Sequence, residues 1–170
     1  GGRQTRTVNV TIVVGPRTRM PIPVSCVEAG RWHGGTRFSD SKRTLSRRVR
    51  VAKQAGVASG LSSHRGVRYS DQGAVWSAID QELASRGISH DSSLYLEADE
   101  DLERSPHTRR ALEDLESRRP EAGQVGIAVA VGRRVTGVEI FPSEAALRES
   151  WQGLVRAAVI EVPSLAVEDV

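Results

Sequence analysis

Gly123–Phe141 reads GQVGIAVAVGRRVTGVEIF. Val125, Ile127, Val129 and Val131 fall on one side of an alternating strand, and Gly126, Ala128 and Ala130 on the other, where small side chains leave room for something packed closely. Gly132 starts a turn, and Val138, Ile140 and Phe141 continue a returning strand, so the stretch predicts an antiparallel hairpin. A hairpin here argues against a parallel, doubly wound sheet. No GxGxxG or GxxxxGK[ST] follows a strand anywhere in the chain, which disfavours a nucleotide fold of that kind.

Working outward, Pro142-Ser143 opens a long helix. Leu147, Trp151, Leu154, Val155 and Ala158 recur at helical spacing, and the tail VPSLAVEDV reads as extended. Upstream, SPHTRRALEDLESRRP predicts a helix capped by Ser105, with Pro106 in its first turn and Leu112 and Leu115 facing inward. The acidic EADEDLE before it suits either a helix start or a surface loop. SDQGAVWSAIDQELASRG predicts another helix, capped by Ser70 or Asp71, with Val75, Ile79 and Leu83 as its apolar stripe and Gly87 past its end.

At the N-terminal end TVNVTIVV alternates, with Val8, Val10, Ile12 and Val14 on the expected inner face. PIPVSCVE is a second strand, which its prolines restrict to an edge or to its opening residues. Cys26 and Glu28 fall on its apolar face with Ile22 and Val24, while Ser25 and Val27 fall on the other. Between Gly30 and Tyr69 the pattern is weak; in TLSRRVRVAKQAGV the alternation mildly favours a strand over a short helix. Strands, helices, a hairpin and a helix in that order predict an α+β fold: an antiparallel or mixed β-sheet with about three helices packed on one side. At 170 residues, a single α+β domain over 1–170 is expected, either whole or excised from a longer chain.

Composition narrows the function. Hydrophobic residues make up 38% and charged residues 26%, the balance of a globular domain. No apolar run reaches the roughly 18 residues that span a bilayer. Nor is there an apolar signal core at the start, so a soluble cytoplasmic protein with no membrane partner is expected. One cysteine forms no internal disulfide, and four histidines without HxxxH or HExxH spacing point to no metal site. No cofactor is named by any motif, and the oligomeric state is not legible.

Charge is segregated: between Arg31 and Lys53 eight basic residues stand against Asp40 alone, and Glu97–Glu103 carries five acids without a base. Two readings follow. The basic stretch meets nucleic-acid phosphates, or the two segments pair with each other or stay solvated.

The stretch PVSCVEAGRW, Pro23–Trp32, concentrates versatile side chains where a strand ends. CVEAGR is similar to a phosphatase loop, but that loop has five residues between cysteine and arginine and this one has four. Cys26 is therefore read first as a small core residue and second as a nucleophile. Glu28 and Arg31 form either an ion pair that locks the Gly30 turn or part of a pocket wall. Trp32 stacks on a ligand or covers the core edge. The second cluster, DQGAVW, sets Gln72 in the first turn of a helix and Trp76 one turn on; a cap with a core tryptophan is the plain alternative to an anion site.

Together PVSCVEAGRW, QGAVW, the hairpin and the late helix carrying Trp151 resemble the ADP-ribosylglycohydrolase- and rhodanese-phosphatase-associated (ARPP-type) domain family, from about Val8 to Val159. Its C-V-E-x-G-R-W pattern corresponds to Cys26, Val27, Glu28, Gly30, Arg31 and Trp32, and its Q-x-x-V-W pattern to Gln72, Val75 and Trp76. Gly73-Ala74 departs from the more polar pair expected there. The resemblance implies association with enzymes that remove ADP-ribose or phosphate, and a link to prokaryotic conflict systems. Two motifs distant in sequence are then expected to meet at one pocket. Cys26, Glu28, Arg31, Trp32, Gln72 and Trp76 would bind a phosphorylated, nucleotide-like ligand such as ADP-ribose or NAD, with Arg31 on phosphate. The alternatives are a hydrolase using Glu28 as acid–base on ADP-ribosyl or phosphate linkages, and a nucleic-acid module using the Arg31–Lys53 stretch.

Overall fold

Val75, Ile79 and Leu83 recur at helical spacing and all three are buried in a helix, Gln72–Ser85. A computed structural model describes residues 4–30, 39–41, 43–63, 68–89 and 95–167. In chain order its elements are β1 (Arg6–Val8), β2 (Val24–Cys26), α1 (Arg47–Ser62), α2 (Gln72–Ser85), α3 (Tyr95–Arg104), α4 (Pro106–Ser117), β3 (Gly126–Val131), β4 (Arg134–Ile140) and α5 (Glu144–Val167). The fold is α+β, as the order of patterns predicts. Its strands form two separate two-stranded antiparallel sheets, β1–β2 and β3–β4. Two further helices, α1 and α3, join the three expected.

The framework divides into two compact units. One gathers β1, β2, α1 from Arg48 and α2; the other gathers α3 from Leu96, α4, β3, β4 and α5.

In the first unit, Arg6, Thr7 and Val8 lie opposite Cys26, Ser25 and Val24. The ladder closes at Asn9, whose N–H donates to Pro23 O at 3.0 Å. Pro21 and Pro23 have no N–H to extend it, so the long strand expected over TVNVTIVV stops after three residues. The inward face is also reversed. Asn9 is 1% exposed and Val8 50%, because a polar network claims the Asn9 side. Ser25 Oγ donates to Asn9 Oδ1 at 2.6 Å and also hydrogen-bonds Ser70 Oγ, while Asn9 Nδ2 donates to Arg68 O at 3.2 Å. A satisfied buried network outweighs the pull of a half-buried valine row. Likewise Ser25, not Cys26, takes the buried position of β2, and Val27 just past its end is buried too.

α1 corrects the strand expected around TLSRRVRVAKQAGV. Val49, Lys53 and Val57 are spaced by four and all are buried, a helical stripe that the local arginine–valine alternation obscured. Lys53 is 6% exposed, and its Nζ donates to Val8 O at 2.8 Å. Burial, and secondarily the Arg50 charge, push its pKa below the ordinary 10.5. The unfolded chain therefore holds this proton more tightly than the fold does. Stability should rise with pH from the lowered folded value up to 10.5 and level off beyond it. Urea unfolding between pH 7.5 and 10.5 should show that rise, and Lys53→Met should flatten it. An unchanged slope in Lys53→Met would rule out Lys53 as its source.

In the second unit Ser105 caps α4 by accepting from Thr108 N, and Leu112 is buried while Leu115 faces solvent. The hairpin forms in the expected place. Its two-residue loop has positive φ at Gly132 and not at Arg133, the pattern of a II′ turn. A bulge between Val129 and Ala130 leaves Thr136 without a partner in the register, and Thr136 Oγ1 donates to Val129 O instead. α5 packs against β3 and α4 and buries Leu147, Leu154, Ala157 and Ile160. It runs through Pro163 to Val167, so the tail expected to be extended is helical that far.

Candidate functional site

Gln72 begins α2, held there by Asp71, whose Oδ1 accepts from Ala74 N at 3.1 Å. Its carboxamide then does what a neighbouring strand would do. Oε1 accepts from Cys26 N at 2.9 Å and Nε2 donates to Cys26 O at 2.7 Å. In the β1–β2 ladder Cys26 sits opposite Arg6 with its own main-chain groups turned outward, so a single side chain closes the free edge of β2. Two motifs separated by 46 residues meet at this pair of bonds.

Glu28 is 0% exposed. Its Oε2 accepts from Thr5 N at 2.8 Å and its Oε1 from Thr5 Oγ1 at 3.1 Å. Val27 N also donates to Thr5 O, so the start of β1 is clamped to the end of β2 from both sides. A carboxylate so enclosed has no edge facing solvent. Its geometry is that of a residue that ties Thr5 to the end of the β2 segment, just before the Ala29-Gly30 turn, where Gly30 takes a φ of 81°.

Cys26 is half-buried. Its Sγ accepts from Gln4 Nε2 at 3.1 Å and from Glu28 N at 3.5 Å, and donates to Glu28 O at 3.2 Å. Gln4 Oε1 in turn accepts from Arg6 Nε and Nη2 at 3.1 and 2.7 Å. Arg6 is directly across the ladder from Cys26 and exposed. Gln4, Thr5 and Arg6 thus join the candidate site, and the sequence did not suggest them. Only the register reveals them, and a turn of some fifteen residues between β1 and β2 hides that register.

Trp76 lies one turn beyond Gln72 on α2 and is half-buried. Its indole Nε1 is enclosed without a hydrogen-bond partner among the described residues. Arg31 and Trp32 lie outside the described residues. Of the six expected site residues, Cys26 and Gln72 are therefore bonded to each other and Glu28 adjoins them.

Three of the five described cations of the Arg31–Lys53 stretch have the following partners. Lys53 is buried on Val8 O, Arg43 pairs with Asp99 of the acidic helix, and Arg48 Nη1 donates to Gln81 at 3.1 Å. Among the described residues, no cluster of three or more His, Cys, Asp or Glu could hold a metal ion, and no helix is long and apolar enough to cross a membrane.

Compared with known families, residues 1–169 match ARPP-1, the ARG and Rhodanese-Phosphatase-superfamily-associated Protein domain. The chain belongs to that family. No curated protein and no solved structure matches it.

Proposed function

We propose that this ARPP-1 chain binds a phosphorylated, nucleotide-like ligand of the ADP-ribose or NAD kind where β2 meets α2. The observation that carries the reading is the Gln72 carboxamide held on both main-chain groups of Cys26, which joins the CVEAGRW and QGAVW motifs. In this reading Gln72 and Glu28 are positioning residues, each spent on internal bonds. Ligand contacts fall to the half-buried Cys26 face, to Arg6 across the ladder and to Trp76, with Arg31 and Trp32 following directly in sequence. Guanidinium groups suit phosphate because their donors form a planar fork, and an indole offers a base a stacking face. The family description, association with the rhodanese-phosphatase superfamily, fits a role beside phosphate- or ADP-ribose-handling enzymes when ARG is taken as ADP-ribosylglycohydrolase. The burial of Glu28 favours binding over acid–base catalysis by that residue.

Calorimetric titration and thermal shift with ADP-ribose, NAD, ADP and inorganic phosphate test this. At a hundredfold excess over Kd, binding stabilises by about 2.7 kcal/mol, a rise of roughly 5–10 °C for a chain of this size. Gln72→Glu keeps an acceptor for Cys26 N but sets a carboxylate against Cys26 O. It should weaken binding at least tenfold, and Arg31→Ala likewise. No shift from any of the four compounds at millimolar concentration, or full affinity in both variants, would overturn the reading.

A further inference from the structure

Val10–Val14 is a run of five β-branched residues, the composition with the strongest strand preference, yet it belongs to no strand. Among the described residues no main-chain hydrogen bond ties it down. The reason lies across the ladder: Pro21 and Pro23 cannot donate, so among the described residues the arm has no main-chain partner beyond Asn9. Nor does it carry the guards that protect exposed strand edges, since Thr7–Gly15 contains no charge and no proline. Val13 is 89% exposed, and Val10, Ile12 and Val14 line an open groove of about 440 Å³ with Val8, Ile22 and Gln54.

Charge selects the occupant. No acidic residue precedes Glu28 in the chain, and the arm's tip presents Arg17 and Arg19, both exposed. A second copy pairing through the same arm would bring its own Arg17 and Arg19 and, within residues 1–27, no acid to meet them. We infer that Val10–Val14 takes up an extended, acidic-flanked peptide strand from a partner protein by strand addition, with the groove receiving alternate apolar side chains and Arg17 and Arg19 meeting the flanking carboxylates. This surface is independent of the Cys26–Gln72 site, and its test does not involve that site's ligand.

The probe is a fluorescent ten-residue peptide of alternating valine and threonine with two glutamates at each end, titrated against the full chain by anisotropy. Lysines in place of the glutamates should weaken binding about fivefold, the scale of two exposed ion pairs. N-methylation of alternate valines should cost about the same through lost ladder bonds. Thr11→Pro removes one donor from an exposed position; it should also weaken the glutamate peptide about fivefold, with the helical circular dichroism unchanged. The inference is overturned if the glutamate peptide fails to bind at millimolar concentration, or if the lysine or N-methylated peptide binds equally well. It is also overturned if sedimentation reveals a dimer that Thr11→Pro dissolves, since the occupant would then be a second copy.

Discussion

Replacing Arg156 with methionine is expected to lower the unfolding free energy by about 3 kcal/mol, the scale of breaking a largely buried ion pair from one side. Arg156, on α5, reaches two other helices at once. Its Nε donates to Asp99 at 3.0 Å and its Nη2 to Glu103 at 2.7 Å, both on α3, and its Nη1 donates to Glu116 of α4 at 3.2 Å. Asp99 is only 2% exposed, so truncating the guanidinium leaves a buried carboxylate short of a partner, with Arg43 as its remaining cation. Glu103 is well exposed and contributes little of the loss. For a chain of 170 residues the deficit corresponds to a fall in Tm of roughly 6–12 °C. Arg156→Lys should recover less than half, because an ammonium cannot fork across three carboxylates. Urea melts of both variants, read by circular dichroism, decide the matter. A loss below about 1 kcal/mol in Arg156→Met would show the network to be surface decoration.

Gly56→Ala should destabilise the first unit and disturb the candidate site from a distance. A Cβ added there would sit 2.5 Å from Asp71 N and 3.1 Å from Ser70 Cα, main-chain atoms that cannot rotate away. α1 would have to withdraw from the lead into α2, at about 1–3 kcal/mol for overpacking. Because the clash is with main-chain atoms, the cost falls toward the upper end of that range and exceeds the roughly 1 kcal/mol that alanine gains over glycine inside a helix. The displaced segment is the one that sets Gln72 on Cys26, so affinity for the proposed ligand should fall with stability. Gly73→Ala is the milder comparison: a Cβ there meets only Asp71 Oδ1 at 3.3 Å, the cap acceptor for Ala74 N, so a shift of a few tenths of an ångström suffices and the loss should be smaller than for Gly56→Ala. Equal melting of Gly56→Ala and the parent chain would refute the close approach as a constraint.

The α+β class, the hairpin with its Gly132 turn, the Ser105 cap and the Val75–Ile79–Leu83 stripe were all legible in the chain, because each depends on residues within a few positions of one another. Local pattern misled where a distant partner set the outcome. Asn9 took the inner face because Ser25 and Arg68 satisfy it there. α1 became a helix because burial chose the Val49–Lys53–Val57 row over the arginine–valine alternation. The site divides along the same line. The motif residues Cys26, Glu28, Gln72 and Trp76 could be picked out by residue chemistry and family pattern. Their division of labour needed the tertiary structure, which spends Gln72 on the Cys26 backbone and Glu28 on Thr5, and brings Gln4 and Arg6 beside the thiol. A side chain's hydrogen-bonding capacity is a property of its type. Whether that capacity is already used depends on which main-chain groups the fold leaves open beside it, and that is settled only when strands far apart in sequence find their register.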